Sequence, residues 1–306
     1  MTGTTLTEDI VRRLPQGDEI FLDHVGHFVA DAEAAAVALD RAGFFTTPLS
    51  AQVDPQGQLT GTGNITAMFD RGYMEILFKT ADTALGCEFD AALEHYAGLH
   101  LLAFSVTDVA RAHARLAASG FRMRPLAQFQ RPVQTERGAG VAAFSVARVE
   151  RGEMPEGRVQ ILTHRTPDTV WQSRWLKHRN GAVALSDVAV AVADVEEAAE
   201  RFARFTGCRE VSTRCGQAVT TDRGAVQLLS PEYFYELVPE VKIPRLPFMG
   251  AYAVVVDSLT HAEKVLQQGG LAVRRVGAAA IVPFPPALGV GAWLFVERAA
   301  DLPWRG

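Results

Sequence analysis

The stretch Leu22-Asp23-His24-Val25-Gly26-His27-Phe28-Val29-Ala30-Asp31 decides how this chain folds. It alternates in the manner of a short strand, reaches an aspartate, and passes into an Ala-rich amphipathic segment that closes at Gly43. The same grammar recurs three times: residues 101–108 lead to Gly120, residues 187–194 to Gly207, and residues 250–257 to Gly269. In each copy the final Asp falls seven residues after the position held by His24, and a Gly follows twelve or thirteen residues later. Self-similarity at a regular spacing outranks local propensity as evidence of architecture.

Downstream of each helix a second pattern repeats. Gly72-Tyr73-Met74-Glu75-Ile76-Leu77, Gly157-Arg158-Val159-Gln160-Ile161-Leu162 and Gly224-Ala225-Val226-Gln227-Leu228-Leu229 line up, with Gly291-Ala292-Trp293-Leu294-Phe295-Val296 as a looser fourth. In unit one this predicts a strand at 20–29, a helix capped by Asp31, a short strand at 44–49, and a hairpin of 64–69 and 73–79 turning at Asp70-Arg71-Gly72. Each unit is then a strand, a helix and three strands. Such a half-unit exposes one apolar sheet face that it cannot bury alone, so units must pair. The expected class is α+β, with four βαβββ units in two modules, 19–165 and 182–300, joined by a linker at 166–181. Thr166-Pro167-Asp168 is a helix-start signal, and the linker is expected to be helical to about His178. Trp171 and Trp175, four residues apart, would share a face that glues the linker to a module, with a ligand stack as the alternative.

Composition narrows the function. A 48% hydrophobic content over 306 residues is ample for two cores, and a formal charge of −5 gives no footprint for nucleic acid. No apolar run is long enough to span a membrane, and residues 1–17 lack the apolar segment of a secretory signal, so a cytoplasmic protein is expected. Within that lead-in, one helical turn is expected around residues 8–14. Cys87, Cys208 and Cys215 are scattered and lack CxxC spacing, which reads as reduced thiols. A GxSxG elbow, a Walker loop and a GxGxxG strand-to-helix turn are all missing.

Four βαβββ units with a His in the first strand and a Glu in the last resemble the vicinal oxygen chelate superfamily of glyoxalases, bleomycin-resistance proteins and extradiol dioxygenases. Asp23-His24-Val25-Gly26 and Met74-Glu75-Ile76-Leu77 look like its metal-binding strands, and the likeness runs from about residue 20 to 298. Within the superfamily the chain looks most like two-module glyoxalase-like proteins. The resemblance implies a cup in each module, with a divalent metal held by residues of the first and last strands of both halves. Carried over, those positions are His24, Glu75, Leu101 and Gln160 in the first module. The second has Asp187, Gln227, Gly250 and Leu294. Leu101 cannot be a ligand, so the metal set is His24, Glu75 and Gln160, with Glu75 also the implied proton shuttle.

Such an N/O set suits Zn²⁺, Mn²⁺, Fe²⁺ or Ni²⁺, which would grip vicinal oxygens of a small molecule in an isomerase- or lyase-like reaction. The alternative is a buried His24–Glu75 pair in a metal-free cup that only binds its ligand. Extradiol dioxygenases with two modules carry iron on two His and a Glu in the second module, and that set is missing here. By strand alternation Phe28, Met68, Leu77, Leu101, Ala103 and Ser105 are expected to line the cup as substrate-binding walls, while His27 and His100 face away as packing residues. His164 and Arg165 sit at the end of a strand, either at the cup mouth or in solvent. Residues 128–137 and 283–288 are expected to be lid loops. The partner is a small molecule, not nucleic acid or membrane, and a homodimer is compatible with the pattern.

Overall fold

The computed structural model describes residues 13–305, and the helical turn expected around 8–14 lies largely outside them. Unit one comprises β1 (Phe21–Phe28), α1 (Ala32–Arg41), β2 (Ser50–Val53), β3 (Leu59–Met68) and β4 (Tyr73–Lys79). Helix α2 (Ala84–Leu93) leads to unit two: β5 (Gly98–Ser105), α3 (Val109–Ala118), β6 (Ala127–Thr135), β7 (Gly138–Arg148) and β8 (Arg158–His164). These eight strands close into a barrel in the order β1-β4-β3-β2-β6-β7-β8-β5. Its seam is thin, because β2 and β6 meet only at Val53 and Gln130.

After a short helix α4 (Pro167–Val170), unit three is built of β9 (Ala182–Ala191), α5 (Val195–Thr206), β10 (Glu210–Thr213), β11 (Gly216–Thr220) and β12 (Ala225–Leu229). Helix α6 (Pro231–Leu237) precedes unit four: β13 (Phe248–Val256), α7 (Leu259–Gln268), β14 (Arg274–Val276), β15 (Ala279–Pro283) and β16 (Ala292–Val296). This second sheet is open, in the order β10-β11-β12-β9-β13-β16-β15-β14.

The repeated aspartate works as a helix cap. Asp31 accepts from Ala34 N, Asp108 from Ala110 and Arg111 N, and Asp194 from Glu197 N, each satisfying donors that have no partner inside the helix. Unit four uses Ser258 instead, which accepts from His261 N. Helices α1, α3, α5 and α7 bury their apolar faces in one core together with strand residues of both sheets, including Val25, Leu102, Val188 and Val254. Backbone bonds also cross between the modules, from Leu22 N to Arg223 O (2.7 Å) and from Leu185 N to Arg71 O (2.9 Å).

Several expectations are corrected. The segment 44–49 is not a strand; β2 begins at Ser50, and Thr47 N makes an isolated bond to Thr66 O. The linker is not one helix: α4 stops at Val170 and a single 3-10 turn spans Ser173–Trp175. Both indoles nevertheless pack against one apolar cluster of the first module. Trp171 is buried and donates to Phe69 O (3.1 Å), whereas Trp175 packs on Phe45 with ring centroids 5.3 Å apart. Residues 128–137 are mostly strand β6, paired along its length with β7, and not a lid. Residues 283–288 cover no mouth either: Leu288 and Phe284 are buried in the shared core. The register also moves one equivalence. Gly26 opposes Leu101, as Ala189 opposes Ala251, so Ala251 and not Gly250 holds the fourth-unit position.

Candidate functional site

Strand β1 carries a bulge at Asp23, because Leu22 pairs with Phe104 and His24 with the next residue back, Ala103. The extra residue lets Asp23, fully buried, sit between two imidazoles. Its Oδ2 is 2.7 Å from His24 Nδ1, and its Oδ1 is 2.9 Å from His164 Nε2. Burial alone would raise the pKa of Asp23, but the interactions with His164 and His24 win and hold it well below the usual carboxylate range. A carboxylate can only accept, so His24 Nδ1 carries a proton. The Tyr73 ring stacks on His24 at 4.4 Å and fixes its plane.

On the other side of the imidazole, His24 Nε2 lies 3.6 Å from Glu75 Oε2. Glu75 comes from β4, two positions along from His24 in the parallel register with β1. Its Oε1 accepts from Asn64 Nδ2 at 2.5 Å. Both Glu75 and Gln160 are buried, and with His24 they line a cavity of about 50 Å³ that also touches Asn64, Thr66, Tyr73, Phe129, Arg131 and Phe144. The three donors read from the sequence are thus brought to one cavity. A separation of 3.6 Å is too long for a hydrogen bond. It is close to the spacing of about 3.0–3.4 Å expected for two donors each about 2.1 Å from a shared ion. An imidazole locked by a carboxylate on its far nitrogen is also the usual support for a metal-bound histidine. The spacing of His24 and Glu75 therefore fits a divalent ion, with Gln160 lining the same cavity.

The apolar wall residues are placed differently. Phe28, Leu77, Leu101 and Ala103 form one buried cluster with Phe89, Val146 and Leu162, next to the cavity and not around it. Leu101 offers no fourth ligand. Met68 packs with Tyr73, Ala142, Val170 and Trp171. Ser105 is buried opposite Phe21, and its hydroxyl has no hydrogen-bond partner. His27 joins the modules, through Nδ1 to Leu288 O (3.0 Å) and Nε2 to the Tyr252 hydroxyl (3.1 Å). A second bulge does fall at His100, since Leu101 pairs with Gly26 and Leu99 with His27. It turns the ring onto Tyr96 and brings Nε2 2.7 Å from Tyr96 O, not toward His24. His164 is buried in the site, whereas Arg165 reaches Gln128 Oε1 in solvent.

Sequence reasoning missed Asp23, Asn64, Thr66, Tyr73 and Arg131. One signal was present: Thr62, Asn64 and Thr66 alternate on a strand that is otherwise apolar toward its end, the pattern of a polar inner face. The bulge that recruits Asp23 leaves no such mark.

Two other features compete for attention. A cleft of about 350 Å³ is rich in arginine, but Arg124, Arg151 and Arg158 all pair with Glu88 there. Asp82, Cys87 and Asp90 are clustered and exposed, and the Lys79 ammonium already bridges both carboxylates at 2.5 Å.

In the second module the position of His24 is taken by Asp187, which is saturated. Arg305 donates to both of its oxygens (2.6 and 2.9 Å), Trp304 Nε1 to Oδ2 (2.9 Å) and Gln227 Nε2 to Oδ2 (3.0 Å). Trp304, Phe234 and Leu294 belong to one buried apolar cluster of this module.

No helix of the described residues is long and apolar enough to cross a membrane. No curated protein matches the chain by sequence at a significant level. Among solved structures, a hypothetical protein from Staphylococcus aureus matches with a TM-score of 0.64 at 8% identity, covering 90% of this chain and 98% of the other. A variant of 4-hydroxymandelate synthase from Streptomyces coelicolor matches at 0.59 and 14% identity, covering 90% and 92%. The Mn(II)-bound glyoxalase from Novosphingobium aromaticivorans matches at 0.53 and 13% identity, covering 92% and 83%. At these identities the likeness speaks for the fold. The sequence profile of the glyoxalase-like domain matches residues 22–206, more than half of the chain. Together with the paired βαβββ units, this shows that the chain belongs to the glyoxalase-like family of the vicinal oxygen chelate superfamily.

Proposed function

We propose that the first cup binds a small oxygen-bearing molecule beside a divalent metal held by His24, Glu75 and Gln160, and isomerises or cleaves it. The observation that carries this reading is the pair of acceptors, His24 Nε2 and Glu75 Oε2, facing each other across 3.6 Å at a polar cavity. Two such groups repel unless a cation or a proton stands between them. Bound there, Zn²⁺, Mn²⁺, Fe²⁺ or Ni²⁺ would polarise vicinal oxygens of the substrate.

The chain's own groups then have distinct tasks. Asp23 and the Tyr73 ring hold the His24 imidazole in orientation. Glu75 is buried next to the substrate space and takes a proton from the carbon beside the polarised oxygen. Returning it to a neighbouring atom completes an isomerisation; departure of a leaving group from that neighbour completes a lyase reaction. Burial, followed by the charges of Asp23 and Glu75, pushes the Tyr73 phenol pKa well above its usual value, so its hydroxyl keeps its proton and serves as a donor.

Metal analysis of purified protein tests the reading. Near-stoichiometric divalent metal that is lost in His24→Ala is the expected result. Protein that takes up no metal from Zn²⁺ or Mn²⁺ solutions, or an unchanged His24→Ala, overturns it. The second reading, a non-catalytic binder, is favoured by Leu101, whose side chain belongs to the apolar cluster at the place where a fourth ligand would stand. That reading expects metal-free protein that still binds ligand.

A further inference from the structure

Arg131 is the charged side chain of the cup that the reading above does not use. It lies on β6, only 5% exposed, and lines the same cavity as His24, Glu75 and Gln160. Its Nε has no hydrogen-bond partner. The Glu75 carboxylate acts on it only through space, because its hydrogen bond goes to Asn64. Burying a guanidinium without a partner costs several kcal/mol or more, so the arrangement calls for an anion. Burial lowers the pKa of Arg131, but Glu75 and Tyr73 work against that shift, and a guanidinium keeps its charge at neutral pH in any case.

Arg131 also lines a second, larger space. A groove of about 230 Å³ runs along the barrel seam between residues 47–50 and 131–134, with Leu49, Pro132, Val133, Val170 and Trp175 among its walls. The inner cavity has room for roughly three or four water-sized groups, enough for a small polar head. The groove is larger and has an apolar stretch at Leu49, Pro132, Val133, Val170 and Trp175 suited to a hydrocarbon body, while its Arg174 is held by Gln134 O and the Trp175 ring. Arg131 stands at the junction of the two.

We propose that Arg131 determines specificity by gripping a carboxylate of the ligand, whose apolar remainder lies in the groove at the β2–β6 seam. A planar carboxylate matches the two-pronged guanidinium fork. The substrate class is thus a small organic acid that carries its reactive oxygens next to the carboxylate. This rests on the reading of the first cup as the ligand site, but not on the metal.

The test uses metal-free, chelator-treated full-length protein and two matched probe pairs, phenylacetate with phenylacetamide and hexanoate with hexanamide. Binding is followed by calorimetry and by the fluorescence of Trp175 in the groove. At least one acid should bind wild-type protein tenfold or more tighter than its amide. Arg131→Met should reduce the acid to the affinity of the amide, and Arg131→Lys should keep part of the preference. Ser186→Ala, in the second module, should leave the preference intact. Should Arg131→Met fail to fold, Arg131→Lys decides: a preference undiminished there overturns the fork. Equal affinities for acid and amide, no binding of either acid, or a preference that survives Arg131→Met also overturns the proposal. An intact acid preference in protein that takes up neither Zn²⁺ nor Mn²⁺ when these are added back would sink the metal reading alone.

Discussion

The two modules are built from the same succession of elements, yet the residue at the same place faces a cavity in one and is fully bonded in the other. In the first, β2 and β6 close the barrel, and the imidazole of His24 turns one nitrogen toward open space. In the second the sheet stays open, and the carboxylate of Asp187 is consumed by Arg305, Trp304 and Gln227. Even the neighbouring residues diverge: Asp23 stands beside His24, whereas Ser186 donates from Oγ to Asp187 Oδ1 (2.9 Å). The difference teaches that a repeated fold offers the same niche several times. What occupies the niche, a ligand or the protein's own side chains, decides whether it supports chemistry or stability.

The sharpest way to break this comparison is to truncate the two equivalent side chains. Asp187→Ala strands the indole N–H of Trp304 and the amide of Gln227 and leaves Arg305 unpaired, and should cost about 3–5 kcal/mol in urea unfolding. His24→Ala should cost clearly less, because half of its hydrogen-bonding capacity faces the cavity. Equal losses would mean that both cups are structural.

Acid should separate the modules next. Of the 8 histidines only His261 falls after residue 181, so the buried imidazoles belong to the first module and the linker. Burial lowers the His27 pKa to about 4, against the partial support of its bond to Leu288, and burial likewise takes His100 to about 4. Both groups accept a proton more readily when unfolded. Their contribution is complete above the ordinary imidazole value of 6.5 and is lost as pH falls from there toward about 4, by about 3 kcal/mol for each at most. Unfolding free energies measured from pH 7 to 4 should show this slope, and His27→Gln should flatten it. A flat wild-type profile would contradict the burial of these rings.

The smallest effect expected lies beside His24. Asp23→Asn keeps the shape of the side chain but removes the charge that His24 and His164 share, and should weaken metal binding about 10–100-fold. Ser186→Ala in the other module should leave metal binding unchanged. An Asp23→Asn protein with wild-type metal affinity would show that His24 needs no support.

Much of the architecture was legible because it was written four times. Strand alternation, a polar cap (aspartate in three copies, Ser258 in the fourth) and a closing glycine constrain each copy, and agreement between copies removes ambiguity that a single copy would leave. Three of the cavity's polar residues, His24, Glu75 and Gln160, were legible for the same reason: equivalent places in repeated strands converge. What was not legible depended on geometry between strands. A bulge moves Asp23 beside His24, and another directs His100 onto Tyr96. Arg131 was hidden because Gln130, Arg131 and Pro132 read as loop, and only pairing with β7 makes that segment a strand with an inner face. The stretch at 44–49 reads as strand by composition, but almost no backbone partner lies within reach.

His27, three residues beyond His24 on the same strand, is tied to Leu288 and to Tyr252, whose hydroxyl also receives the indole N–H of Trp293 at 2.6 Å. The residues bonded to this histidine both come from the second half of the chain, which thereby pins the strand that carries His24, the way an optical bench carries a lens.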